Sequence, residues 1–219
     1  MSALRDAGEL AALEAERLWN LDVFDPPIGS KNPRAAMCLA IIDGIITRAG
    51  WGFATPYRGN GPPQWCGLFA ADCWRAAGID LTWLATYFAS TYRLMLWVNY
   101  KRFSSEPRYK QNPPPPSGVE RRLLVEIVNR NSFSVIEPQR GDIVIVGDGD
   151  PECGDHITIN MGYDAKLGAF DTISGNGGGV GPKGDKREGI SRRTYTIGSV
   201  GYRPMWLIRT APGDLYTIH

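Results

Sequence analysis

Cys66 and His156 are the two side chains whose types suit nucleophilic acyl transfer. A cysteine attacks as the thiolate, so a catalytic one needs a neighbour that lowers its pKa, such as a helix N-terminus or an imidazole. Cys66 follows a Gly/Pro-rich loop and stands in the first turn of a helix predicted over Trp65 to Ala77. Phe69, Cys73 and Ala77 recur there at helical spacing and Gly78 closes the run. Unpaired amides at that helix start favour an anion. The sequence holds 2 histidines. His219 is the final residue, where fraying is expected, so His156, after a Gly-Asp turn at a predicted strand edge, is the candidate base. An imidazole needs an orienting group, and Asp171 and Asn176 in Asp171-Thr-Ile-Ser-Gly-Asn176 are the candidates. Asn176 also suits an ordinary turn. Gln64 and the Cys66 amide are the candidate oxyanion donors.

The other cysteines invite less. Cys38 and Cys73 lie on apolar helical stretches, where a thiol is a small core residue. Cys153 falls in the acidic turn Asp148-Gly-Asp-Pro-Glu-Cys-Gly-Asp155. That turn lacks the spacing of a calcium loop, and a zinc site would need a second usable histidine, so a solvated turn is expected and no metal or cofactor. All 4 cysteines are expected as free thiols.

The elements that must position the pair are arranged helices first, strands after. An amphipathic helix is predicted over Met1 to Leu21, and a second from Pro33 to about Ala49, with Pro33 at its start and Gly50 at its stop. Trp51 to Gln64 reads as loop. Leu81 to Phe103 reads as aromatic helix, Pro113 to Pro116 as an extended exposed connection, and Val119 to Asn129 as a further amphipathic helix. From Phe133 onward the texture is short β-rich runs between Gly/Asp turns: 141–147, 156–162, 169–173 and 202–210. This order implies an α+β fold.

Three blocks together resemble the CHAP and NlpC-type papain-like cysteine amidases and peptidases. Gln64-Trp-Cys-Gly-Leu-Phe-Ala-Ala-Asp-Cys-Trp-Arg-Ala-Ala-Gly78 is similar to the family's nucleophile helix. Pro138-Gln-Arg-Gly-Asp-Ile-Val-Ile-Val146 and Gly154-Asp-His-Ile-Thr-Ile-Asn-Met-Gly162 are similar to its Pro-x-x-Gly-Asp strand and its histidine strand. Phe170-Asp-Thr-Ile-Ser-Gly-Asn-Gly-Gly178 looks like the strand that carries the polar orienting residue. The resemblance implies Cys66 as nucleophile, His156 as base and Asn176 as third member, with Asp171 its rival. Ser174 stands where such proteins often carry glutamate, so a four-residue Cys-His-Glu-Asn set is not implied. The blocks cover under a third of the chain, and Cys66 and His156 lie farther apart in sequence than in compact members. An insertion over about 79–130 accounts for that distance.

The expected architecture is a papain-like core whose nucleophile helix packs on an antiparallel sheet, with N-terminal helices over 1–50, a catalytic domain over 51–219 and a helical insertion. The resemblance implies cleavage of an amide in peptidoglycan, as an N-acetylmuramoyl-L-alanine amidase or stem-peptide endopeptidase. Other classes are a papain-like enzyme acting on protein side chains (a deamidase or transglutaminase-like enzyme), an inactive binding or structural module, and a zinc hydrolase.

Composition agrees with a folded enzyme: 219 residues, 43% hydrophobic and 21% charged. A formal net charge of +1 does not suggest a nucleic-acid partner, and the pairs Arg121-Arg122 and Arg192-Arg193 read as solvated surface charge. No stretch has the apolar length of a membrane span, and the N-terminus reads as an amphipathic helix instead of a signal peptide. The expectation is therefore a chain made in the cytoplasm that reaches the cell wall by phage lysis or by a secretion system, with an immunity protein or secretion component as partner.

Overall fold

The structure, a computed structural model, describes residues 2–26, 30–49, 65–78, 123–127, 130–133, 137–148 and 156–209. Helix α1 (Ser2–Asn20) buries Ala7, Ala11, Ala15 and Leu18, spaced so that they share one face. Its small residues let the backbone come close: a Cβ added at Gly141 would strike the Gly8 backbone. Helix α2 (Pro33–Arg48) is capped by Asn32, whose side chain accepts the Arg34 amide at 2.9 Å, and it buries Cys38, Ile42, Ile45 and Ile46. Helix α3 (Cys66–Ala76) is buried from Cys66 through Trp74. It carries a charge in that setting, Asp72, 1% exposed, which accepts from Arg48 of α2 at 2.7 Å and Arg75 at 3.3 Å. An ion pair with both charges satisfied tolerates burial that a lone carboxylate would not.

Six antiparallel strands form one sheet: β1 (Leu123–Glu126), β2 (Ile143–Gly147), β3 (His156–Asp164), β4 (Ala169–Val180), β5 (Lys186–Thr196) and β6 (Arg203–Arg209), in the order β1-β6-β2-β3-β4-β5. Alternation divides its faces. Ile143, Ile145, Ile157, Ile159 and Ile173 join the core beneath the helices. Val144, Val146, Phe170, Tyr195 and Leu207 form a second cluster, against which Phe133 and Tyr163 pack. The segment after α1 closes the β5 edge: Phe24 bridges Gly189, the Asp25 amide donates to Glu188 at 3.0 Å, and the Ile190 amide donates to Val23 at 3.1 Å.

The α+β class and the helix-on-sheet order follow the sequence, and α1, α2 and α3 lie within about two residues of their predicted bounds. Three expectations are corrected. The helix expected over Val119 to Asn129 is not formed at Leu123–Glu126, which pair with β6 from Arg209 to Trp206. A short isolated helix is marginal, and an open strand edge offers the same residues a full set of backbone partners. Ser174-Gly-Asn-Gly177, suited to a turn, lies inside β4. β5, absent from the predicted runs, pairs with β4 over its whole length. The loop over 51–64, residues 79–122 of the insertion expected over about 79–130, and Cys153 and His219 fall outside the described residues.

Candidate functional site

The N-terminus of α3 abuts the start of β3. Trp65 is the cap residue and Cys66 the first helical residue, 3% exposed. The Cys66 sulfur faces the backbone N–H groups of Gly67 and of Ile157, the residue that follows His156. Cysteine and histidine strand are thus joined through main chain, with no hydrogen bond between sulfur and imidazole.

His156 Nε2 lies 2.8 Å from Ser174 Oγ. The local reason is a bulge in β4. Ser174 pairs with Ser191 and Gly177 with Gly189, so Gly175 and Asn176 together face Ile190 alone. Asn176 takes φ +53, a left-handed conformation that asparagine tolerates. The extra residue returns Gly177 to the side of Ser174, where a Cβ would stand 2.6 Å from Ser174 Oγ and 2.9 Å from His156 Nε2. Glycine at 177 therefore makes room for the imidazole, and at Gly175 a Cβ would enter the Trp65 ring and crowd Phe69. Ser191 Oγ donates to the Gly177 carbonyl at 2.8 Å and pins the bulge.

Burial sets the protonation states. It raises the Cys66 thiol pKa, outweighing the backbone amides that favour the thiolate. The expected lowering by the helix N-terminus is thus overruled by desolvation. His156 is pushed down to about 4, first by burial and then by the Arg193 guanidinium. The resting pair is a neutral thiol and a neutral imidazole. In the tautomer whose Nε2–H donates to Ser174, the other ring nitrogen, Nδ1, is the one that can take a proton.

Neither expected third member hydrogen-bonds the ring. Asp171 accepts from Arg192 Nε at 3.0 Å on the α1 side, where Arg192 also nears Glu16. Asn176 makes no side-chain hydrogen bond among the described residues, and Gln64 falls outside them. Cys38 and Cys73 are free, buried thiols. Burial pushes Cys73 well up, as suits an inert core residue.

The sequence reading missed Ser174 as the histidine's partner, and it missed Arg193 and Tyr195. Ser191, Arg193 and Tyr195 alternate along β5, and Arg193 Cζ stands 5.0 Å from the Tyr195 ring centroid. Burial raises the Tyr195 hydroxyl's pKa, and the Arg193 guanidinium opposes that rise. The alternation was visible, but the strand that gives it meaning was not. Among the described residues no group of three or more His, Cys, Asp or Glu is placed to hold a metal ion, and no helix is long and apolar enough to cross a membrane. No family model, curated protein or solved structure matches the chain.

Proposed function

We propose that the chain is a papain-like cysteine hydrolase that cleaves an amide bond in the peptide part of peptidoglycan. The observation that carries the reading is the junction of α3 and β3: Cys66 at the helix start against the Ile157 amide, beside a histidine whose Nε2 is held by Ser174. In the proposed reaction the substrate carbonyl binds over Cys66, His156 Nδ1 takes the thiol proton as sulfur attacks, and the imidazolium returns it to the leaving amine. Water, deprotonated by the same nitrogen, then releases the thioester as a carboxylate and restores the thiol. The backbone amide of Cys66 is the proposed oxyanion donor. Ser174, Asn176 and Asp171 are the proposed third members, and Ser174 is favoured by its position at Nε2. The peptidoglycan substrate rests on the resemblance of the three sequence blocks.

Wild type and Cys66→Ala protein incubated with peptidoglycan sacculi test this reading. Fragments released by wild type alone are expected, and their masses name the bond as sugar-to-peptide or within the stem peptide. Equal release by both proteins, or release by neither, overturns the cell-wall reading.

A further inference from the structure

Most arginines among the described residues are neutralised. Arg34, Arg48, Arg140, Arg187, Arg192 and Arg209 each end on a carboxylate. Arg193 does not: among the described residues it meets the Tyr195 ring and hydroxyl and, at 3.5 Å, the Gly178 carbonyl, and no carboxylate. It is exposed, and its guanidinium reaches the carbonyl of Gly178, next to Gly177, where a Cβ would stand 2.9 Å from His156 Nε2. It also borders an open pocket of about 990 Å³ with Trp19, the Gly178–Gly181 backbone and Lys186, a second cation that pairs with no acid among the described residues. The acids on that rim are Asp171, already held by Arg192, and Glu188.

We propose that Arg193 is a specificity-determining residue that binds a carboxylate of the substrate next to the reacting amide. The inference rests on the cysteine-hydrolase reading and deepens it. A cation beside the base that meets no carboxylate among the described residues opposes the imidazolium that the reaction must form. A substrate carboxylate on the guanidinium removes that opposition, and the planar fork suits a carboxylate better than a single amide oxygen does. Substrates with a free carboxylate near the scissile bond are therefore preferred over neutral or amidated ones, and part of the preference falls on the chemical step.

Alkylation of Cys66 isolates the charge effect. In either reagent the sulfur displaces iodide, but iodoacetate brings a carboxylate and iodoacetamide a neutral amide. Rates at Cys66 in the full chain are read by peptide mass spectrometry. The iodoacetate-to-iodoacetamide rate ratio is expected to fall about three- to tenfold in Arg193→Gln and to be largely kept in Arg193→Lys. A reactive Cys66 with the same ratio in wild type and Arg193→Gln overturns the inference and leaves the cysteine enzyme standing. A Cys66 that neither reagent labels in wild type overturns both. Should Arg193→Gln not fold, wild type alone decides: N-acetylglycine is expected to protect Cys66 from iodoacetamide at lower concentration than N-acetylglycinamide, and equal protection overturns the inference.

Discussion

In the proposed reaction Ser174 is the residue that orients His156. Its hydroxyl fixes the imidazole through Nε2 at 2.8 Å, so its loss frees the ring to rotate without removing either reacting atom. Ser174→Ala is expected to lower kcat by about 10- to 100-fold with little change in KM, measured on the fragments that wild type releases. A KM effect alone would make Ser174 a binding residue. The same geometry sets the pH dependence. In the proposed reaction His156 must be neutral to accept the thiol proton, and its folded pKa is lowered from 6.5 to about 4. Activity of the free enzyme is therefore expected to fall only below about pH 4 to 5, and an acid limb centred near the ordinary histidine value would contradict the buried site.

At the scale of elements, the β4 bulge joins the strand that carries Ser174 to the helix that carries Cys66. Gly175 is the contact, because any side chain there meets the Trp65 ring at the cap of α3. Gly175→Ala is expected to destabilise the fold by about 1–3 kcal/mol and to displace Cys66, lowering its alkylation rate. Gly162→Ala, with nothing within 4 Å of an added Cβ, is the control. Its effect on the urea midpoint is expected to stay within about 0.5 kcal/mol. The turn before β2 is tied in a similar way. Asp142 accepts the Gln139 amide at 2.8 Å and pairs with Arg209 of β6 at 2.7 Å, which gives the Pro138-Gln-Arg-Gly-Asp142 block a structural reason.

Across the whole molecule, residues 23–25 connect α1, the β5 edge and the cap of α3. Asp25 sits beside the Trp65 indole N–H without closing a normal hydrogen bond to it. Burial first, and Glu188 second, raise its pKa from 3.8 to about 6. Between those values the folded chain keeps a proton that the unfolded chain has lost, so this contribution to stability is lost as pH rises through 6. Asp25→Asn, which needs no proton to be neutral, is expected to raise stability at about pH 8 by roughly 1–2 kcal/mol and to leave it unchanged near pH 3.5. Urea midpoints at the two pH values check this, and equal shifts at both would assign the effect to packing.

The sequence by itself determined the three helices and strands β2, β3, β4 and β6, and it singled out Cys66 and His156 as the candidates for nucleophile and base. Each of these is written in local spacing: apolar residues at helical intervals before Gly78, a proline at the start of α2, β-branched alternation in Ile143 to Val146. Tertiary structure decided the rest, because the rest depends on partners distant in sequence. Leu123–Glu126 become a strand only because β6 offers an edge, and Ser174-Gly-Asn-Gly177 becomes a bulge, not a turn, only because Trp65 and Ile190 face it. The serine that holds His156 was legible as a residue but not as a partner, since only the bulge brings its hydroxyl to Nε2. The thiol's state was decided the same way: a helix start favours the anion, but burial against the sheet, which no local pattern records, raises its pKa.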